Sequence, residues 1–196
     1  MAIRKIAQMG EPVLRQKAAP IEPGQIGSSF IQTLIDDMIE TMHDADGAGL
    51  AAPLVYESLQ LCVIEVDKNP RYPQFESIPL TVLINPIVTP LVGTGVLSPE
   101  DSFQMYEGCL SVPGMRGQVA RPRKVRVQAL DRAGCALDFE WESFRAVVVQ
   151  HEIDHLLGTL YVDRADPKTL TFTREYERFV PAAARIHDQG KAVVAK

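Results

Sequence analysis

This chain of 196 residues has few cysteines, no net positive charge and no long apolar run. Only three cysteines occur, and so small and odd a number predicts reduced thiols rather than a disulfide framework. No apolar run is long enough to cross a bilayer, and none follows the basic start of the chain as it would in a secretion signal. We therefore expect a cytoplasmic location and no membrane partner.

The charge balance excludes further classes of protein. The 20 Lys and Arg residues against 25 Asp and Glu give a net charge of −5. Nucleic-acid binders normally carry a basic face, so no direct nucleic-acid site is expected. The length and the 46% of hydrophobic residues suit one core. We predict a single domain over residues 1–165 and a C-terminal extension over residues 166–196, which could be helical, extended or disordered.

The three cysteines have different surroundings. Cys62 and Cys135 lie among apolar residues, which favours buried structural thiols. Cys109 instead lies between glycine and proline residues in the stretch E-G-C-L-S-V-P-G, which is typical of a loop or a strand edge. A thiol presented there could bind a metal ion, although the stretch alone favours other roles for the thiol.

One amphipathic helix is predicted near the start of the chain. Ser29 is followed three residues later by Gln32, which has the form of a capping box, and apolar residues then recur on one stripe to about His43. A glycine- and alanine-rich stretch, residues 47–54, comes next. Such small residues let the backbone approach either a packed element or a ligand, and the stretch alone favours neither.

The fold class follows from the strands that come after this stretch. Short runs rich in Val, Ile and Leu, bounded by turn residues, predict strands over residues 59–66, 80–88, 125–130 and 136–141. The last two are joined by a plausible hairpin turn at 131–134, and 68–74 is predicted to be a loop. Because the strands do not alternate regularly with helices, we predict an α+β fold of mostly antiparallel sheets.

A second helix carries the strongest chemical signal, the pattern H-E-x-x-H formed by His151, Glu152 and His155. On a helix the two histidines lie one turn apart on the same face, so both imidazoles can reach one metal ion. Glu152 beside them can then act as an acid or base. Gly158 marks the expected end of this helix. The alternative is a surface helix with two chance histidines.

Three stretches together resemble the peptide deformylase family, whose motifs are G-x-G-L-A-A-x-Q, E-G-C-L-S and Q-H-E-x-D-H-L. They stand here at residues 47–54, 107–111 and 150–156, in the family order. With flanking matches, the resemblance covers roughly residues 3–164. It implies a metal-dependent hydrolase that removes the formyl group from the N-terminal formylmethionine of newly made peptides, with residues 1–165 as the catalytic domain around the H-E-x-x-H helix.

The resemblance also implies roles for individual residues. Cys109, His151 and His155 would be the metal ligands, and Glu152 the acid/base that takes a proton from water and delivers it to the departing amine. The Leu110 backbone N–H would help to hold the oxyanion. The remaining implied catalytic positions belong to the first motif, namely Gly49 and Leu54.

The substrate pocket and one ion pair are less specific implications. An apolar pocket for the methionine side chain could be lined by Phe144, Val147 and Val148, with Met105 as a further candidate; these residues could equally be plain core. Glu107 in the family pairs with a downstream arginine, for which Arg116 is the natural candidate. An ordinary surface ion pair is the alternative.

One position departs from the family pattern: the first motif should end in glutamine, and this chain has Leu54. A leucine side chain cannot donate a hydrogen bond to an oxyanion. Three interpretations follow, which are a deformylase of reduced activity, a metallohydrolase for another formyl or amide substrate, and a non-catalytic binder of formylated peptides or of a partner. A general zinc endopeptidase is more remote, because it does not explain Cys109.

Cofactor and partners are only partly determined. The resemblance favours one divalent ion, Fe²⁺ first, while thiolate and imidazole ligands also accept Zn²⁺, Ni²⁺ or Co²⁺. N-formylmethionyl peptides are the implied partners. The sequence leaves open whether the ribosome is a partner and which oligomeric state the protein adopts.

Overall fold

The computed structural model describes residues 2–67, 76–93, 98 and 100–188. The strands, in chain order, are β1 (Gly49–Ala51), β2 (Leu61–Val66), β3 (Ile78–Pro90), β4 (Ser102–Cys109), β5 (Val112–Pro122), β6 (Lys124–Leu130), β7 (Ala136–Glu142), β8 (Thr171–Phe172) and β9 (Ile186–Asp188). The α-helices are α1 (Ser29–Asp44), α2 (Ser143–Leu156) and α3 (Thr173–Phe179).

The strands form two sheets in which neighbouring strands are antiparallel. The five-stranded sheet has the order β1-β2-β3-β6-β7, and the four-stranded sheet has the order β8-β5-β4-β9. This arrangement confirms the predicted α+β class. None of the helices in the described part of the chain is long and apolar enough to span a membrane.

Burial explains the two kinds of strand pattern. In β6 the residues Val125, Val127 and Ala129 are buried and alternate with more exposed neighbours, since one face of that strand covers the core. β2 is buried along nearly its whole length because α1 and α2 both pack against it. That is why its sequence is apolar at every position except Glu65 rather than alternating.

Helix α2 lies between the two sheets and contacts strands of both. It ends near Gly158, as predicted, and the reason is steric. Gly158 has φ +75°, and a Cβ there would lie 2.8 Å from the carbonyl carbon of Arg15. The chain can therefore turn back over the N-terminal arm only with glycine at this position.

Helix α1 begins as predicted, but its cap is one residue earlier. The hydroxyl of Ser28 accepts the backbone N–H of Ile31 at 3.4 Å, so Ser29 is not the cap. The Gln32 amide does not reach back to complete a capping box, because it donates to the carbonyl of Ile26 instead. Phe30, which was expected on the apolar stripe, is 53% exposed.

Other predictions have mixed outcomes. The β6–β7 hairpin is confirmed, whereas Cys135 is exposed because it lies at the tip of that hairpin rather than in its buried part. Strands β4 and β5 were not predicted apart from the suggestion of a strand edge at Cys109. The predicted loop 68–74 lies outside the described residues. The domain boundary at residue 165 stays a prediction, although residues up to 188 contribute strands to the second sheet.

Candidate active site

Three metal-binding side chains converge where the end of β4 meets α2. The ligand atoms of Cys109, His151 and His155 all lie within 4.8 Å of one another, and Cys109 Sγ is 3.3 Å from His155 Nε2. The two imidazole rings stand nearly perpendicular, with centroids 4.8 Å apart. Within the described residues, this is the cluster of donors that could hold an ion.

Hydrogen bonds fix the orientation of two of these donors. His151 Nδ1 lies 2.8 Å from Glu107 Oε2, so the ring donates to the carboxylate through Nδ1 and leaves Nε2 for a ligand. The Ser111 backbone N–H donates to Cys109 Sγ at 3.4 Å. These two contacts orient the imidazole and the sulfur.

A buried ion network supports Glu107, and here the sequence prediction is wrong. Arg121, not Arg116, pairs with Glu107, with Nε–Oε1 and Nη2–Oε2 distances of 2.5 and 2.9 Å. The physical reason is the period of a strand. On β5, Gly117 and Arg121 share the inward face, whereas Arg116 lies on the other face against Gly108.

The network continues from Arg121 to the far side of α2. Arg121 Nη1 donates to Asp154 at 2.9 Å, and Arg164 holds the same carboxylate through two bonds of 2.7 Å. Burial opposes ionisation of Glu107, but Arg121 and then His151 outweigh it and hold the pKa of Glu107 at about 2. Glu107 is therefore a fixed negative charge behind His151.

Removing Arg121 should destabilise the fold strongly. Arg121→Met leaves the buried carboxylates of Glu107 and Asp154 without their shared partner, and we expect the free energy of unfolding to fall by about 3–5 kcal/mol. Urea denaturation measures this change. The matched control is Arg126→Met, which removes an exposed arginine paired with Asp138 and should leave the midpoint unchanged. Equal effects of the two variants would contradict a structural role for the buried network.

Glu152 lies beside the ligand cluster, and one of its carboxylate oxygens makes no hydrogen bond to the described residues. The side chain is buried, and its Oε2 has no hydrogen-bond partner among the described residues. Burial raises the pKa of Glu152 to about 7, against the effect of the charges on His151 and Arg121. A buried carboxyl oxygen without a protein partner is unusual, and it is what a residue that acts on water or substrate would show.

Gly49 on β1 makes room for this carboxylate. A Cβ at Gly49 would lie 2.5 Å from Glu152 Oε1 and 2.8 Å from its Cδ. Heavy atoms do not approach this closely, so the position of Glu152 requires glycine at 49. Gly49 thus shapes the candidate site through its lack of a side chain.

Gly49→Ala should therefore lower activity without removing the ligand set. The new methyl group must displace the Glu152 carboxylate, and misplacing a reacting group by about 1 Å can cost roughly a hundredfold in rate. The measurement is kcat on a formylated peptide beside metal content. The control is Gly24→Ala, where a Cβ would meet nothing within 4 Å. Full activity in Gly49→Ala would show that Glu152 does not need its observed position.

A pocket with an apolar wall opens beside the ligand cluster. The predicted pocket residues all line it, and all are buried: Met105, Phe144, Val147 and Val148. Leu54 also lines the pocket and is 2% exposed. Leu110 lies there too, in the turn that follows Cys109. The predicted site residues other than Arg116 are thus brought together around one cavity.

Sequence reasoning missed three residues of this site. Arg121 could have been found only from the period of β5, and Asp154 stands inside the H-E-x-D-H motif without having been assigned a role. Tyr161 is fully buried, its ring stacks on His151 with centroids 6.2 Å apart, and burial followed by the charge on Cys109 raises its pKa to about 12. No local pattern marks Tyr161, because its position depends on the turn after Gly158.

The donor set fits a metal ion of the catalytic type. One sulfur and two imidazole nitrogens make three protein ligands, which leaves a further coordination position for water or substrate. Burial, followed by the charge on His151, holds the pKa of His155 well below its ordinary value. The fold and the site together define an α+β enzyme with a Cys/His/His group that can hold a metal ion and a carboxylate beside it.

Comparison with known proteins identifies the family. The sequence model described as polypeptide deformylase matches residues 3–170, so the chain belongs to that family and is an enzyme of the peptide deformylase type. The peptide deformylase of Leptospira biflexa is 46% identical over 165 residues, which are 84% of this chain and 88% of that protein. Peptide deformylase 1 of Nitrosomonas europaea is 46% identical over 159 residues, covering 81% and 85%.

Solved structures agree with the sequence relatives. The Met-Ala-Ser-bound crystal structure of a class I type b peptide deformylase from Acinetobacter baumannii is 36% identical, has a TM-score of 0.75, and covers 83% of this chain and 98% of that one. A peptide deformylase from Legionella pneumophila is 40% identical with a TM-score of 0.68, covering 86% and 89%. The solved structures that share this fold thus belong to the same family as the sequence relatives.

Proposed function

We propose that this protein removes the N-formyl group from the N-terminal formylmethionine of newly made peptides, with one divalent metal ion held by Cys109, His151 and His155. The observation that carries the proposal is the convergence of these three donors beside the uncommitted Glu152 oxygen and an apolar pocket. The relative of known structure with bound Met-Ala-Ser supports the same substrate class.

The metal ion, when bound, supplies a Lewis acid that polarises the formyl carbonyl and makes water a better nucleophile. Fe²⁺ is the proposed ion, with Zn²⁺, Ni²⁺ and Co²⁺ as alternatives that the same ligands accept. Glu107 fixes the ring of His151 through the 2.8 Å bond, and the Ser111 backbone N–H holds the sulfur of Cys109. These two contacts prepare the ligands before any ion arrives.

The remaining chemistry falls to residues beside the ligands. Glu152 accepts the proton of the attacking water and returns it to the departing amine, a task that suits a pKa of about 7. The Leu110 backbone N–H donates to the oxyanion as it forms. The pocket walls at Met105, Phe144 and Val148 hold the methionine side chain, which orients the formyl group.

Leu54 lowers the expected rate. Its alkyl side chain stands in the pocket where a glutamine amide would otherwise be a second donor to the oxyanion. Loss of one such donor costs about 3–4 kcal/mol of transition-state stabilisation, or roughly a hundred- to a thousandfold. We propose a deformylase of reduced activity on this ground. The same residue favours the second candidate, a metallohydrolase whose reshaped pocket takes another formyl or amide substrate.

The deciding experiment is hydrolysis of formyl-Met-Ala-Ser by the iron or nickel form of the protein. The measured signal is the free amine that the reaction releases. We expect slow but metal-dependent turnover, with acetyl-Met-Ala-Ser as the negative control. Cleavage of other formyl or acyl substrates without cleavage of formyl-Met-Ala-Ser would favour the second candidate. Tight binding without hydrolysis of any substrate would indicate the non-catalytic binder. Action on new peptides would place the protein in the cytoplasm.

A further inference from the structure

The C-terminal segment, residues 171–188, spans the β4–β5 hairpin from one edge to the other. Its first strand, β8, pairs with β5, and its last strand, β9, pairs with β4, where Ile186 lies opposite Met105. Helix α3 connects the two and packs against β5. The match to the family model ends at residue 170, so this segment lies beyond it.

A ring contact and a backbone hydrogen bond at Tyr106 join the segment to the outer face of β4, and the Arg185 side chain supports them from within the segment. The rings of Tyr106 and Tyr176 lie 5.1 Å apart, and the guanidinium of Arg185 lies 4.7 Å from the centre of the Tyr176 ring. The backbone N–H of Tyr106 donates to the carbonyl of Arg185 at 3.1 Å. Arg185 also donates to the carbonyl of Val180 at 3.1 Å, which ties the end of α3 to β9. The aromatic and cation–π contacts are each directional.

The opposite face of the same strand forms the active site. Side chains alternate along a strand, so while Tyr106 faces the C-terminal segment, its neighbours Met105 and Glu107 face the pocket. Cys109 ends the strand. Because the backbone of β4 is shared by both faces, a displacement at Tyr106 moves the pocket wall, the carboxylate that orients His151 and the ligand thiol together.

We infer that the C-terminal segment is a positioning element of the active site, which acts through Tyr176 and Arg185 on β4. It sets how closely Met105 closes the methionine pocket and where Cys109 and Glu107 stand relative to α2. The effect on substrate selection rests on the proposed deformylase function, whereas the effect on the ligand residues does not.

The test uses the full chain with Tyr176→Leu and Arg185→Gln, singly and combined. Matched controls are Phe179→Leu and Arg178→Gln, because these residues form a similar ring–guanidinium pair on the same helix, 4.8 Å apart, in which Phe179 is 65% exposed. The first readout is the ratio of kcat/KM for formyl-Met-Ala-Ser over formyl-Ala-Ala-Ser. The second is the affinity for Co²⁺, which is monitored by the absorption band between cobalt and the thiolate. All variants are measured at a temperature at which they are folded.

We expect the Met/Ala ratio to fall by about tenfold or more in the Tyr176 and Arg185 variants, since about 1 Å of displacement is enough to disturb the alignment of a substrate. Co²⁺ affinity should fall by about tenfold, which is typical of losing a residue that orients a ligand. Tyr176→Phe keeps the ring, so the Met/Ala ratio and the Co²⁺ affinity should both stay near those of the unaltered protein. A purely structural role would lower thermal stability while leaving both quantities unchanged.

Unchanged values of both quantities in the combined variant would overturn the inference, as would equal losses in the Phe179 and Arg178 controls. If the unaltered protein cleaves no formylated peptide, the proposed function fails, and the Co²⁺ titration alone then decides the role of the segment. The two proposals can therefore fail separately.

Discussion

Glu152→Ala should abolish hydrolysis of formyl-Met-Ala-Ser while metal content stays near one equivalent. Glu152 lies next to the proposed ligand His151 but is not itself in the cluster of donors, and its Oε2 has no hydrogen-bond partner in the part of the chain that the structure describes. A residue that moves protons in the transition state contributes about 10²- to 10⁴-fold to the rate, so kcat should fall by at least about a hundredfold. Steady-state assays and metal analysis of the same preparation measure both quantities.

Two variants separate catalysis by Glu152 from a structural role. Glu152→Gln keeps the shape of the side chain but cannot accept a proton, so it should be as inactive as the alanine variant. Glu140→Gln removes an exposed carboxylate on β7 and should have full activity. Loss of the metal together with activity in both Glu152 variants would mean that the residue maintains the site rather than catalysing the reaction.

Leu54→Gln should raise turnover of formyl-Met-Ala-Ser well beyond tenfold. Leu54 lines the pocket and is held in place by its own backbone, whose carbonyl accepts the Ala7 N–H at 2.7 Å. Glutamine at this position would present an amide donor to the oxyanion, and one such donor is worth roughly a hundred- to a thousandfold. The gain should appear in kcat more than in KM, because the oxyanion exists only in the transition state.

The control for this prediction is Leu54→Met, which is similarly long but has no N–H donor. It should leave kcat near that of the unaltered protein. An unchanged rate in Leu54→Gln would show that Leu54 is not the reason for low activity. A similar gain in both variants would attribute the effect to pocket shape and favour a different natural substrate.

Local patterns predicted helices α1 and α2 and the β6–β7 hairpin, although the capping box of α1 was wrong. His151 and His155 share a face of α2 because residues four apart always do on a helix, and the turn at Gly158 follows from a glycine after the last helical residue. The β6–β7 hairpin was likewise predicted from its own turn. Cys135 was misplaced because apolar neighbours do not reveal that a residue lies at the tip of a hairpin.

Predictions that paired residues across elements needed the tertiary structure. Arg116 was chosen for Glu107 because it is near in sequence, but only the inward face of β5 can reach Glu107, and Arg121 is on that face. The close approach of Gly49 to Glu152 joins residues of β1 and α2, and no spacing rule connects them. Such contacts depend on how the sheets pack around α2.

By itself, the sequence determined the helix that presents two imidazoles and an acid, the α+β class, and the departure at Leu54, because each is written in the spacing or identity of neighbouring residues. Only the tertiary structure decided that the Cys109 sulfur meets the two histidines, that Arg121 neutralises the charge behind them, and that the segment 171–188 pairs with both β4 and β5. These features join distant parts of the chain, whose meeting depends on packing of the whole core rather than on any local pattern.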